Sequence, residues 1–142
     1  MSKARKQRKN RNEKEKIIYK KEKDYQFHEK DMSKIVLNTI IELIQELVVE
    51  NEININEIES IGIAIPGTVS DGCIIKAENL GINNLQIEKE IRKIFDIPVY
   101  LQNDAKCAAL AEQKYGELAN YENSVFLCIG TGVGGAVIHN GE

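Results

Sequence analysis

The sequence predicts an α/β fold, a mostly parallel sheet with helices on its faces. Two observations carry that expectation. A continuous apolar run of about six residues closed by turn residues, 60–65 (SIGIAI), is typical of strands covered on both faces, and Ser124–Ile129 (SVFLCI) reads as a further strand. Between them lie stretches of helical periodicity, and strands alternating with helices imply parallel pairing.

Along the chain, Ile17-Ile18-Tyr19 within a run of Lys and Glu reads as a short edge strand with its charges turned to water. A helix starts at Asp31 or Ser33, either of which can cap it. Val36, Ile40, Leu43, Ile44 and Leu47 give it one apolar face, and it ends near Asn51. The run at 60–65 is closed by Pro66-Gly67. Asp71-Gly72 is a favoured two-residue hairpin turn, flanked by Val69 and Ile74-Ile75. Ile87, Ile91 and Ile94 mark a short amphipathic helix. Residues 97–101 form a strand, with Pro98 at its start where a missing N–H is tolerated. An Ala-rich helix runs from Asp104 to Tyr115, and Gly116 stops it. After a glycine-rich loop, Ala136 to His139 is a further strand that runs into the turn Asn140-Gly141.

The chain of 142 residues is long enough for one domain with a real core, and 42% of it is hydrophobic. No apolar run approaches the roughly 18 residues of a membrane span, and the basic N-terminus is not followed by the apolar segment of a secretory signal. A cytoplasmic protein is the expectation. Cys73, Cys107 and Cys128 are odd in number, widely spaced and set among apolar neighbours, which predicts buried small hydrophobes and neither disulfides nor a zinc site. The net charge of −3 hides an asymmetry: residues 1–16 carry eight Lys or Arg against Glu13 and Glu15, a net +6. With only Met1 and Ala4 apolar, that arm is predicted to be disordered. Any nucleic-acid binding by it is expected to be non-specific and salt-sensitive, and a solvated tail is the plainer reading.

Two motifs carry chemistry. Asn103-Asp104 places a carboxylate at the end of an apolar strand, where α/β folds put their chemistry. Asn or Asp there can also cap the helix that follows, and the neighbours can divide the two roles. Gly130-Thr131-Gly132-Val133-Gly134-Gly135 exposes backbone N–H groups that can wrap phosphate oxygens. Its glycines satisfy GxGxxG, but a strand follows where a dinucleotide-binding fold needs a helix, and no Walker Gly-Lys-Ser/Thr is present. A wide hairpin is the alternative reading. His28 and His139 stand alone, without partners at ligand spacing.

Residues 61–67 (IGIAIPG), Glu78-Asn79-Leu80-Gly81, Asn103-Asp104-Ala105 with 108–112 (AALAE), and the 130–135 loop together resemble the ROK family, sugar kinases and sugar-responsive repressors. The resemblance implies part of an actin-like (ribonuclease H-like) ATPase lobe. Residues 17–123 would be a partial first lobe, and 124–142 the start of the second. By the same resemblance Asp104 is the catalytic base, while Gly67, Glu78, Asn79 and Asn103 bind the sugar. Gly130, Thr131, Gly132, Gly134 and Gly135 hold nucleotide phosphates, with ATP and Mg2+ as cofactors and no metal ligand assigned to the chain.

Three parts of the family pattern are missing. The opening Asp-x-Gly-Gly-Thr hairpin has no counterpart, nor have the Glu-x-Gly-His sugar contacts and Cys-rich zinc site of the second lobe. The two missing strands belong between the Ile17 strand and the 60–65 strand. Their loss predicts open strand edges, marginal stability or self-association into a homo-oligomer. The expectation is an incomplete ROK-type sugar kinase, inactive alone. The alternatives are a fragment of a ROK-type repressor, although the basic arm is too short for a helix-turn-helix, or a remnant without function.

Overall fold

The computed structural model of the protein describes residues 16–24, 31–130 and 132–141. Three helices and seven strands follow in the order α1 (Ser33–Glu50), β1 (Ile61–Ile65), β2 (Thr68–Ser70), β3 (Cys73–Ala77), β4 (Ile82–Leu85), α2 (Ile87–Phe95), β5 (Val99–Asn103), α3 (Asp104–Tyr115), β6 (Ser124–Ile129) and β7 (Val133–Ile138). Short 3-10 turns occupy Ile55–Glu57 and Glu78–Leu80. No helix among the described residues is long and apolar enough to cross a membrane.

The α/β organisation rests on β1 and β5, which pair in parallel with Ile61 opposite Val99 and Ile65 opposite Asn103. Parallel strands need a crossover. Here it contains the antiparallel meander β2-β3-β4 and helix α2. Asp71 and Gly72, both at positive φ (47° and 72°), make the tight turn between β2 and β3, as their residue types predict. The last two strands form a separate antiparallel hairpin.

The core lies where α1, α2, the meander and the parallel pair meet. Met32, Val36, Ile65, Ile74, Ala77, Ile82, Ile87, Ile91 and Val99 form it. Isoleucine four residues apart explains α2: Ile87 and Ile91 stack on one face and are fully buried. Ile94 shares that face but, close to the end of the helix, is half exposed, and Phe95 packs against the core. At the start of α1 the Asp31 carboxylate accepts from Ser33 N (2.9 Å) and from Ser33 Oγ (2.5 Å), which holds its pKa below the usual value. At the other end Asn51 Nδ2 donates to Leu47 O.

Several expectations are corrected. Residues 16–24 form no strand. They are tied to α1 by charge: Lys21 pairs with Glu46 and Glu50, and Lys23 with Glu42 and Glu46. The acidic residues stand one turn apart on the helix and the lysines two residues apart in the segment, so the match is to a helix face and leaves Ile17 and Ile18 in solvent. The apolar run of β1 is not covered on both faces, since Gly62 and Ala64 are open while Ile65 is buried. β4 was not expected at all. Of the cysteines only Cys73 is buried, Cys107 is half-buried and Cys128 is exposed near the tip of the last hairpin. The arm at 1–15, His28 and Thr131 lie outside the described residues.

Candidate functional site

The junction of β5 and α3 separates two jobs that the sequence left open between neighbours. Asn103 ends the strand with extended backbone, and its side-chain oxygen accepts from Lys106 N at 3.1 Å, which makes it the cap of α3. The same side chain donates through Nδ2 to Gly67 O at 3.1 Å, tying the loop after β1 to the end of β5. Asp104 is therefore not the capping residue. It is the first residue of the helix, exposed, and its carboxylate accepts only from the next backbone N–H, Ala105 N, at 2.8 Å among the described residues. A carboxylate at a helix N-terminus is favoured by the local dipole and stays available to an outside donor.

Beside Asn103 the loop after β1 opens a cleft of about 330 Å3, lined by Pro66, Gly67, Thr68, Lys76, Glu78 and Asn79. Gly67 is there for space: a Cβ on it would stand 2.4 Å from Lys76 O and 3.0 Å from Ala77 Cβ. Only glycine lets the strand exit lie flat on β3. Glu78 enters the cleft from the 3-10 turn and forms an ion pair with Lys76. The Lys76 ammonium holds the Glu78 carboxyl below the usual carboxylate range, so the cleft presents an ionised acceptor beside a cation. Pro66, Thr68 and Lys76 were not assigned to the site from the sequence; Lys76 is legible only once the hairpin folds it back beside Glu78.

On the other side of Asp104 lies the glycine hairpin. A Cβ on Gly134 would sit 3.4 Å from Ala105 Cβ, so β7 runs close over the first turn of α3. Gly135 has its own packing reason, with Phe126 O and Leu127 Cδ2 within about 3 Å of a built Cβ. Gly130 and Gly132 have none: among the described residues a Cβ there meets nothing within 4 Å. They flank the tip, where Gly130 N donates to Gly132 O at 2.8 Å. The structure thus brings Gly67, Glu78, Asn79 and Asn103 together, sets Asp104 at their edge, and carries the glycine hairpin past Ala105. A second concavity of about 410 Å3, between Asp71 and the charged face of α2, contains none of these residues.

This arrangement defines a portion of an actin-like ATPase fold, the architecture of the solved sugar kinases it superimposes on. The chain belongs to the ROK family, whose family model matches residues 11–142. It is 30% identical over 105 residues to a xylose repressor of Caldicellulosiruptor bescii, a match covering 72% of this chain and 26% of that protein. Among solved structures, a ROK family transcriptional regulator homologous to the E. coli MLC protein aligns with a TM-score of 0.70 at 30% identity, over 80% of this chain and 29% of that one. A ROK family glucokinase from Streptomyces griseus, in complex with glucose and AMPPNP, aligns with a TM-score of 0.62 at 25% identity, over 74% of this chain and 34% of that one. The chain spans about a quarter to a third of the length of these relatives.

Proposed function

We propose that the chain carries the sugar-side part of a ROK-type sugar kinase site, whose reaction moves the γ-phosphoryl group of ATP to a hydroxyl of a hexose or hexose derivative. The observation that supports this best is the division of labour at the β5–α3 junction. Asn103 caps the helix and fixes the cleft wall, and Asp104 beside it is left with an exposed carboxylate. In this reading Asp104 Oδ accepts the proton of the sugar hydroxyl as that oxygen attacks phosphorus, and Glu78 and Asn79 hold other hydroxyls of the sugar. Gly67 shapes the pocket, and Asn103 orients the wall while keeping a second Nδ2 hydrogen for the ligand. Phosphoryl transfer depends chiefly on positioning and on stabilising charge, so one oriented base is a sufficient protein contribution at this point.

Gly130, Thr131, Gly132, Gly134 and Gly135 would form the loop that receives nucleotide phosphates, with Gly130 and Gly132 leaving room for backbone approach. Mg2+ in such a site would be held mainly by phosphates and water. Residues 17–123 would correspond to part of the first lobe and 124–142 to the opening of the second. ATP as donor places the reaction in the cytoplasm, and residues 1–16 would bind nucleic acid only non-specifically. On its own the chain would bind sugar weakly and turn nothing over.

A second reading, a sugar-responsive regulator, is favoured by the likeness to the xylose repressor and to the MLC-type regulator. One experiment separates the two. The chain is joined genetically to the remaining two-thirds of the S. griseus glucokinase and supplied with ATP, Mg2+ and glucose. Phosphorylated sugar supports the kinase reading. Saturable sugar binding without phosphoryl transfer supports the regulator, and no sugar binding at all contradicts both.

A further inference from the structure

The cleft beside Asn103 contains a charged pair of which the proposed sugar contacts use only Glu78. Its partner Lys76 stands in the middle strand of the meander, opposite Thr68 of β2 on one side and Asn83 of β4 on the other. Gly67 lies against the Lys76 carbonyl, which a built Cβ would approach to 2.4 Å. The backbone carrying Lys76 is therefore held from both neighbouring strands and from the cleft wall. Glu78 follows two residues later at the start of a 3-10 turn, where Gly81 N donates back to Glu78 O at 3.0 Å. From these two fixed points the side chains meet as an ion pair in the cleft lining, which also includes Thr68 and Asn79.

We propose that Lys76 and Glu78 read, as one donor–acceptor pair, two adjacent free hydroxyls of a neutral sugar, which makes Lys76 a specificity-determining residue. The inference rests on the cleft being the sugar site. An ammonium has three N–H groups, so contact with Glu78 leaves donors for a ligand oxygen. The hydrogen bond from Lys76 holds the Glu78 carboxyl below the usual carboxylate range, so Glu78 accepts only, and its spare lone pairs call for a hydroxyl hydrogen. Neighbouring oxygens on a sugar ring are about as far apart as the partners of a hydrogen bond. One hydroxyl can thus accept from Lys76 while the next donates to Glu78. Hydrogen bonds to charged groups are the strong ones, so a sugar lacking either hydroxyl forfeits a large share of its affinity. Charge selects against acidic sugars. Glu78 already balances Lys76, and Asp104 adds a carboxylate at the cleft edge, so an anionic ligand meets a net negative wall.

The test uses the chain joined to the remaining two-thirds of the S. griseus glucokinase, with binding read by calorimetry so that turnover is not required. Glucose, xylose and N-acetyl-D-glucosamine are the first probes, followed by the monodeoxy analogues of the one held most tightly. Two analogues, missing adjacent hydroxyls, should bind the unsubstituted protein at least about 10-fold more weakly than the parent sugar. Lys76→Met keeps the stem and removes the charge. It should weaken the parent sugar by about 10- to 100-fold, yet change the affinity of one of those two analogues by less than about 2-fold, because the lost ammonium had nothing to hold there. Glu78→Gln should be silent in the same way for the other analogue. Glucuronate should bind the unsubstituted protein at least about 10-fold more weakly than the tightest neutral probe. Equal weakening of the parent sugar and every analogue by Lys76→Met, as a merely structural role gives, would overturn the proposal. So would silent analogues whose missing hydroxyls are not neighbours, or glucuronate binding more tightly than the neutral probes. Sugar binding indifferent to Lys76→Met overturns this inference alone, whereas a joined protein that binds none of the probes overturns the sugar-site reading and this inference with it.

Discussion

Replacing Asn103 with Ala removes two hydrogen bonds with one substitution: the cap to Lys106 N and the tie to Gly67 O, each 3.1 Å long. Loss of a side-chain cap costs about 1 kcal/mol. Loss of a neutral hydrogen bond between half-buried groups costs about 1 kcal/mol more. The account therefore expects Asn103→Ala to lose about 2 kcal/mol. Asn103→Ser retains a capping oxygen but cannot reach Gly67, and should lose about half as much. Urea unfolding reads the difference: with an m-value of about 2 kcal/mol per molar, the midpoints should fall by about 1 M for Ala and 0.5 M for Ser at unchanged m. Amide exchange assigns each loss. Both variants should speed exchange around Gly67, and only Ala should loosen the first turn of α3. Equal losses for Ala and Ser, or a loss for Ala within error of zero, would refute the assignment of both jobs to Asn103.

Gly67→Ala should destabilise the chain by about 1–3 kcal/mol, the range for an overpacked site, because its Cβ would stand 2.4 Å from Lys76 O. Sugar affinity should fall with it, and a neutral Gly67→Ala in calorimetry would contradict the close approach. The clasp of residues 16–24 on α1 should depend on pH. Hydrogen bonds from Lys21 and then Lys23 hold Glu46 below 4.5, while Glu46 and Glu42 respectively lead in raising Lys21 and Lys23 above 10.5. A depressed carboxyl stabilises above its unfolded value and loses this as pH falls through its folded one. A raised lysine stabilises below its unfolded value and loses this as pH rises through its folded one. Contact between the segment and α1 should thus be strongest from about pH 5 to 10, fade on either side and weaken in high salt. A spin label on Ile18→Cys should broaden α1 resonances in that window only; broadening independent of pH and salt would contradict the ion-pair account.

What could be read from the residues follows from how local its cause is. The Asp71-Gly72 turn, the buried Ile87 and Ile91 of α2, and the start of α3 at Asn103-Asp104 depend on neighbours within a turn or two, and all are where their patterns place them. β4 escaped because its centre is Asn83-Asn84. Only Ile82 and Leu85 turn inward, and the strand is defined by its pairing with β3. Residues 16–24 were misread for the same reason, since their partners Glu42, Glu46 and Glu50 lie about twenty residues or more away on α1. At the site, Asn103 and Asp104 could each have been cap or chemistry, and the cap from Lys106 N to Asn103, with the tie from Asn103 to Gly67 36 residues away, separates them. Lys76 was invisible until β3 brought it beside Glu78.

The central claim is that Asp104 is the base of a sugar kinase site and Asn103 its scaffold. Steady-state kinetics of Asp104→Asn, in the chain joined to the remaining two-thirds of a family kinase, tests it most directly. The substitution preserves size and leaves the cap on Asn103 untouched. The account predicts a fall in kcat of about 10²- to 10⁴-fold, the usual worth of a general base, with sugar affinity nearly unchanged. An Asp104→Asn enzyme turning over at the parental rate would contradict it.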